Sequence, residues 1–252
     1  MNNLNIKHIV LALTTILFLL VSIGFVDKYQ GDLTCRSIVV NIDNQFENYF
    51  VNEKDVVNLL TSGGNMIVGA RMDELELQQI ESRLEDHKFV RNAEAYKDLK
   101  GNLIINIDQS RPVARMMGKK MPDRYISARG EVLPTSRSFT TRVMLITGPW
   151  PDNPGLLNMN DTETGKAVLR LIKYINDDPF WKSQIAEMYI EKHGEVTIYT
   201  QVSKQRVEFG QPENIENKFR KLKIFYKKIL PTKGWNSYKK VNIKYNNQIV
   251  CE

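Results

Sequence analysis

An unbroken apolar run near the start limits this chain more than any other feature. Residues 9–26 (IVLALTTILFLLVSIGFV) are 18 positions without a charge. As an α-helix they would rise about 27 Å, close to a hydrocarbon core about 30 Å thick. A helix packed in a globular core would show a polar stripe, and this run has none. Ser22 and Gly24 form the small-x-small pair of a cleavage site, yet the run exceeds the apolar stretch of about 7–15 residues usual in a cleaved leader. The sequence therefore predicts a single-pass transmembrane helix over 9–26, with a cleaved leader as the alternative. A short cytoplasmic arm would occupy 1–8. Lys7 on one flank and Lys28 and Arg36 on the other nearly balance, so charge alone does not orient the span. Long domains translocate regardless of charge, which permits a small inner arm and a large outer domain.

Behind the run, hydrophobic periodicity divides the chain in two. Ile38, Val40 and Ile42 alternate as a half-buried strand does. Residues 52–60 open on a capping-type Asn52 and carry Val56, Leu59 and Leu60 at helical spacing. Asp73 with Glu76 reads as a second helix start, stapled by Met72 and Leu77, with Leu77, Ile80 and Leu84 on one face. Residues 90–97 and 103–107 read as two strands joined by a turn at 98–102, where Gly101 can take positive φ. The result is a small β-α-α-β-β domain over 35–110, an α+β arrangement.

From 111 to 252 the pattern is a strand-rich β-domain with two helices. Expected strands are 125–126 and 132–134 as a hairpin, 143–147, 187–190 and 195–200 around His193-Gly194, 205–209, and a last strand through Val241, Ile243 and Tyr245. Residues 246–247 would then turn the chain into 248–250. One helix runs over 164–176. The other runs over 214–230, where Ile215, Phe219, Leu222, Tyr226 and Ile229 make a single stripe.

Composition excludes several classes. Of 252 residues, 42% are hydrophobic and 25% charged, which fits packed domains rather than a disordered or low-complexity chain. Two Cys and three His rule out a disulfide framework and leave little for a zinc site. No nucleophile elbow, HExxH, CxxC or phosphate-binding glycine loop occurs, so no catalytic residue, metal or cofactor is assigned. The net charge of +6 is concentrated: residues 218–244 hold ten Lys/Arg and no acid. Such a segment is either a solvated helix face or a surface that steers an acidic partner segment or anionic envelope polymer.

The order of these parts resembles the bacterial cell-division family FtsQ/DivIB. The resemblance rests on QSRPVAR at 109–115, YISARGEVLP at 125–134, MLITG at 144–148, VEFG at 207–210 and VNIKY at 241–245. It implies a POTRA domain followed by a β-domain, with Arg111, Pro112 and Ala114 at the domain junction. It further implies a non-enzymatic scaffold in the inner membrane at the division septum, its bulk periplasmic, binding FtsB- and FtsL-like proteins. An exposed last strand would offer backbone groups for strand addition. The expected contact residues are Lys244, Tyr245, Asn247, Gln248 and Ile249, with Tyr245 as aromatic anchor. Rival readings are an anchored or secreted cell-wall glycan enzyme and a POTRA-type translocation or assembly protein. Nucleic acid and small-molecule substrates are not expected.

Overall fold

The computed structural model describes residues 6–31, 33–43, 49–62, 66–152, 155–202, 204–246 and 248–252. The chain divides into two compact units, Met1–Gln109 and Ser110–Glu252.

Helix α1 (Ile6–Gly31) contains the apolar run. Residues 10–21 are exposed, and the Thr15 and Ser22 hydroxyls donate back to the Leu11 and Phe18 carbonyls. The transmembrane expectation is corrected here: among the described residues, no helix is long and apolar enough to cross a membrane. The single-pass inner-membrane topology with a cytoplasmic N-terminal arm rested on that span and is not supported, and the periplasmic and septal placement built on it is withdrawn with it.

The first unit continues with β1 (Ser37–Asp43), α2 (Glu53–Thr61), α3 (Leu77–Glu85), β2 (Val90–Lys97) and β3 (Asn102–Gln109). Strand β3 is central, parallel to β1 and antiparallel to β2. Its alternation sends Leu103, Ile105 and Ile107 into the core with Val56, Leu60, Ile80 and Leu84 of the helices. Helix α2 starts as its sequence dictates. Asn52 Oδ1 accepts the Asp55 N–H (3.0 Å) while Asp55 Oδ2 accepts the Asn52 N–H (3.1 Å), so two orphan donors are satisfied reciprocally. Helix α3 does not start at Asp73. That carboxylate is taken by the guanidinium of Arg71 (3.0 and 2.6 Å), and the helix begins at Leu77 without a side-chain cap.

The second unit comprises β4 (Pro112–Met116), β5 (Arg124–Ser127), β6 (Val132–Pro134), β7 (Met144–Thr147), α4 (Glu163–Asp177), α5 (Pro179–Gln184), β8 (Ile185–Ile190), β9 (Val196–Thr200), β10 (Arg206–Gly210), α6 (Ile215–Ile224), a π-helical turn Phe225–Ile229, α7 (Leu230–Lys233), β11 (Lys240–Asn242) and β12 (Val250–Cys251). All nine strands join one sheet, in the order β12-β11-β10-β9-β8-β7-β4-β5-β6. Both helical interruptions serve a topological need. Parallel neighbours cannot be joined by a hairpin, and α4–α5 carry the chain from β7 to its parallel neighbour β8, as α6–α7 do from β10 to β11. Helix α5 is an addition to the two helices expected. The core lies between these helices and one sheet face, built on Met116, Ile146, Met188, Ile198, Val207 and Val241. At its centre Trp181 and Phe219 lie 4.9 Å apart, and Phe209 packs 5.4 Å from Phe219.

Candidate functional site

Two edges end the nine-stranded sheet, and they differ. At β6 the Val132 N–H is already donated to the Leu157 carbonyl (3.0 Å), and Pro134 has no N–H to offer. At β12 the situation reverses. Lys240 and Glu252 exchange both backbone hydrogen bonds (3.0 Å each), so they form a hydrogen-bonded antiparallel pair. The next pair, Val241 with Cys251, is then of the non-hydrogen-bonded kind, and the N–H and C=O of Cys251 face away from the sheet. Among the described residues no backbone partner meets them there. This is an open template for one more strand.

The segment leading into that edge carries the expected contact residues. Strand β11 stops at Asn242, whose Oδ1 accepts the Lys244 N–H (3.0 Å) and so turns the chain out of the ladder. Lys244 and Tyr245 therefore lie beyond the strand rather than in it. The Lys244 ammonium pairs with Glu195 (3.1 Å), and its aliphatic stem lies over Gly210. Tyr245 is 53% exposed. Gln248 is exposed, Ile249 is half-buried against the core, and Asn247 lies outside the described residues.

What holds this segment comes from another element. Lys221 of α6 donates to the carbonyl of Ile243 (3.0 Å) and to that of Tyr245. One turn earlier, Lys218 is only 8% exposed: its ammonium sits 4.6 Å from the Phe209 ring centroid and donates to the Gln211 carbonyl (2.7 Å). Burial lowers the pKa of both lysines. The basic spacing in 218–244 gave no hint of which cations turn inward; position on the buried stripe of α6, one residue before Phe219, is the clue that was there.

The residues expected at the domain junction open the second unit. Pro112 starts β4, where a missing N–H is tolerated, and Ala114 is fully buried in the core. The Arg111 carbonyl accepts the Ala128 N–H (2.9 Å), tying β4 to the β5–β6 turn. Among the described residues no cluster of His, Cys, Asp and Glu could hold a metal ion.

Compared with models of known families, residues 33–108 match a POTRA-like domain, and residues 111–252 match the family described as FtsQ/DivIB, C-terminal related. No curated protein matches the chain. Both matches are to non-catalytic domain families, so residues 33–108 and 111–252 are read as non-enzymatic. The expectation of FtsB- and FtsL-like partners is corrected: neither matched description names such a partner, and among the described residues the membrane span that would set the chain beside them is not found. The match over 111–252 takes in all nine strands of the second sheet and more than half of the sequence, and the chain belongs to the FtsQ/DivIB, C-terminal related family.

Proposed function

We propose that this protein is a non-enzymatic scaffold of bacterial cell division whose β-domain takes an extended segment of a partner protein at its C-terminal sheet edge. One observation carries the proposal: the outward-facing N–H and C=O of Cys251 on the open strand β12, at the end of a sheet whose other edge is closed. Main-chain hydrogen bonds would supply affinity, and flanking side chains would supply selectivity. Lys244, Tyr245, Gln248 and Ile249 flank that edge in the chain, and Tyr245 is the exposed aromatic among them.

The test is Cys251→Pro, with Cys251→Ala as control. Proline removes only an outward donor, because the neighbouring Lys240–Glu252 pair keeps the ladder bonds. In a bacterium carrying this gene, depletion should give filaments without septa. The wild-type chain and Cys251→Ala should restore division, while Cys251→Pro, with unchanged thermal unfolding, should not. Normal division after depletion would remove the division role; normal division with Cys251→Pro would remove the edge.

A further inference from the structure

The basic stretch 218–244 is two populations in space. Lys218 and Lys221 are bonded to backbone carbonyls, Lys223 faces Asp178 (3.6 Å), Lys244 faces Glu195, and Lys240 holds both Glu208 (3.8 Å) and Glu252 (2.8 Å). These cations belong to the fold. Lys227, Lys233 and Lys239 do not: among the described residues none of them has a carboxylate within ion-pair distance. The β9–β10 turn brings Lys204 and Arg206 to the same corner. Gln205, between those two, donates Nε2–H to the Trp235 carbonyl (2.6 Å), and the Arg206 N–H donates to the Lys239 carbonyl (3.1 Å). The acids beside them, Glu208 and Glu252, are already occupied by Lys240.

Among these cations stands Trp235, 44% exposed, its ring 6.1 Å from that of Tyr226 behind it. Exposed lysines by themselves are ordinary solvated surface. An indole left in water between uncompensated cations is different, because it exposes apolar area that the adjoining aromatic core could have covered. An exposed Trp beside an Arg is the pairing enriched in binding patches, and the lysines around it act as steering charges at the rim. The patch also continues the C-terminal edge. The Lys239 N–H donates to the Glu252 carbonyl (2.7 Å), so a strand lying on β12 and running past Glu252 would cross Lys239 toward Trp235.

We propose that this corner binds an acidic, extended peptide segment carrying an aromatic or aliphatic residue that packs on Trp235. The site extends the strand-addition reading of the edge and supplies its partner chemistry. Carboxylates would be steered and held by Lys204, Arg206, Lys233 and Lys239, with a strong dependence on salt.

The probe is a fluorescein-labelled peptide, Glu-Glu-Leu-Glu-Phe-Glu-Glu, titrated with the whole chain; the same peptide with Gln for Glu is the control. Binding should weaken about tenfold between low salt and about 0.3 M NaCl, and about tenfold in K204E/K233E/K239E, whose side chains are exposed and whose folding should be unaffected. Trp150 and Trp181 are buried, so a blue shift on binding reports Trp235, and W235F should bind without that shift. Equal binding of the Gln peptide, or full binding by the triple variant, overturns the proposal. So does adsorption of the chain to phosphatidylglycerol vesicles without binding of the peptide, which would make the corner a lipid surface. Cys251→Pro separates the two readings: it should still bind this short probe, so its loss in the division assay with binding retained leaves the corner standing, and loss of probe binding in K204E/K233E/K239E alone leaves the edge to be judged by division.

Discussion

At Gly148, φ is +103°, and a Cβ would run into the backbone carbonyl of Ile190 on the neighbouring strand. Both faults are fixed by main chain, so no side chain can move aside. Gly148→Ala should cost about 2 kcal/mol or more, read as a lower urea midpoint in tryptophan fluorescence. His87 in the first unit is half-buried, with Nδ1 accepting the Phe89 N–H (3.4 Å). Burial lowers its pKa from 6.5, and the opposing pull of Asp55 is smaller. The unfolded chain therefore takes up a proton at a pH where the folded chain has not, and stability rises with pH through the window below 6.5. In His87→Gln the pH dependence of unfolding across that window should flatten; an unchanged slope would show that other groups set it. The burial of His87 is a tertiary property that local sequence does not register; its ring lies 6.1 Å from that of Phe89. Asp73 teaches the same lesson from the other side. Its spacing to Glu76 is that of a helix start, but a guanidinium two residues away competes for the carboxylate and wins.

Elements were readable where one local pattern decides them. The alternation in β2 and β3, the reciprocal cap of α2 and the stripe of α6 are all written within about ten residues of chain. The missed helix α5 was also written locally. Asp178 accepts the N–H groups of Phe180 (2.8 Å) and Trp181 (3.3 Å), and Pro179 fills the first helical position, where its missing N–H costs nothing. Asp178→Ala should lower the stability of the second unit by about 1 kcal/mol in a urea titration, because Trp181 at the centre of the core depends on that start. In the long helix, the turn Phe225–Ile229 winds as a π-helix, and Phe225 and Tyr226 at its start are both buried. The apolar spacing reads as one continuous helix and does not register that turn, whose rings meet Tyr238 and Trp235 from the following loop. Phe219→Ala should be the costliest single truncation on α6, about 3–5 kcal/mol by the same titration, because its ring meets Tyr174, Trp181 and Phe209.

For the whole molecule, the sequence announced two kinds of unit but not how their strands are ordered. Strand neighbours such as β4 and β7, or β10 and β11, are chosen by crossovers and burial across long separations, and no periodicity records them. The alternation of Val241, Ile243 and Tyr245 predicts a strand that includes Lys244 and Tyr245. The Asn242 side chain ends that strand by bonding two residues ahead, a competition that alternation does not register. The unequal sheet edges also govern how copies of this protein can meet. Head-to-tail stacking of sheets, the route to open-ended fibres, needs a template at each end, and the Val132–Pro134 end is shut by Leu157 and a proline. Pairing between copies through this sheet is then reciprocal, β12 against β12, which closes after two. In sedimentation over a wide concentration range, association through this edge should stop at the dimer and be lost in Cys251→Pro, and larger species that Cys251→Pro dissolves would refute this. A sheet with one usable end is a directional socket: a partner strand can join it at β12 and not at β6.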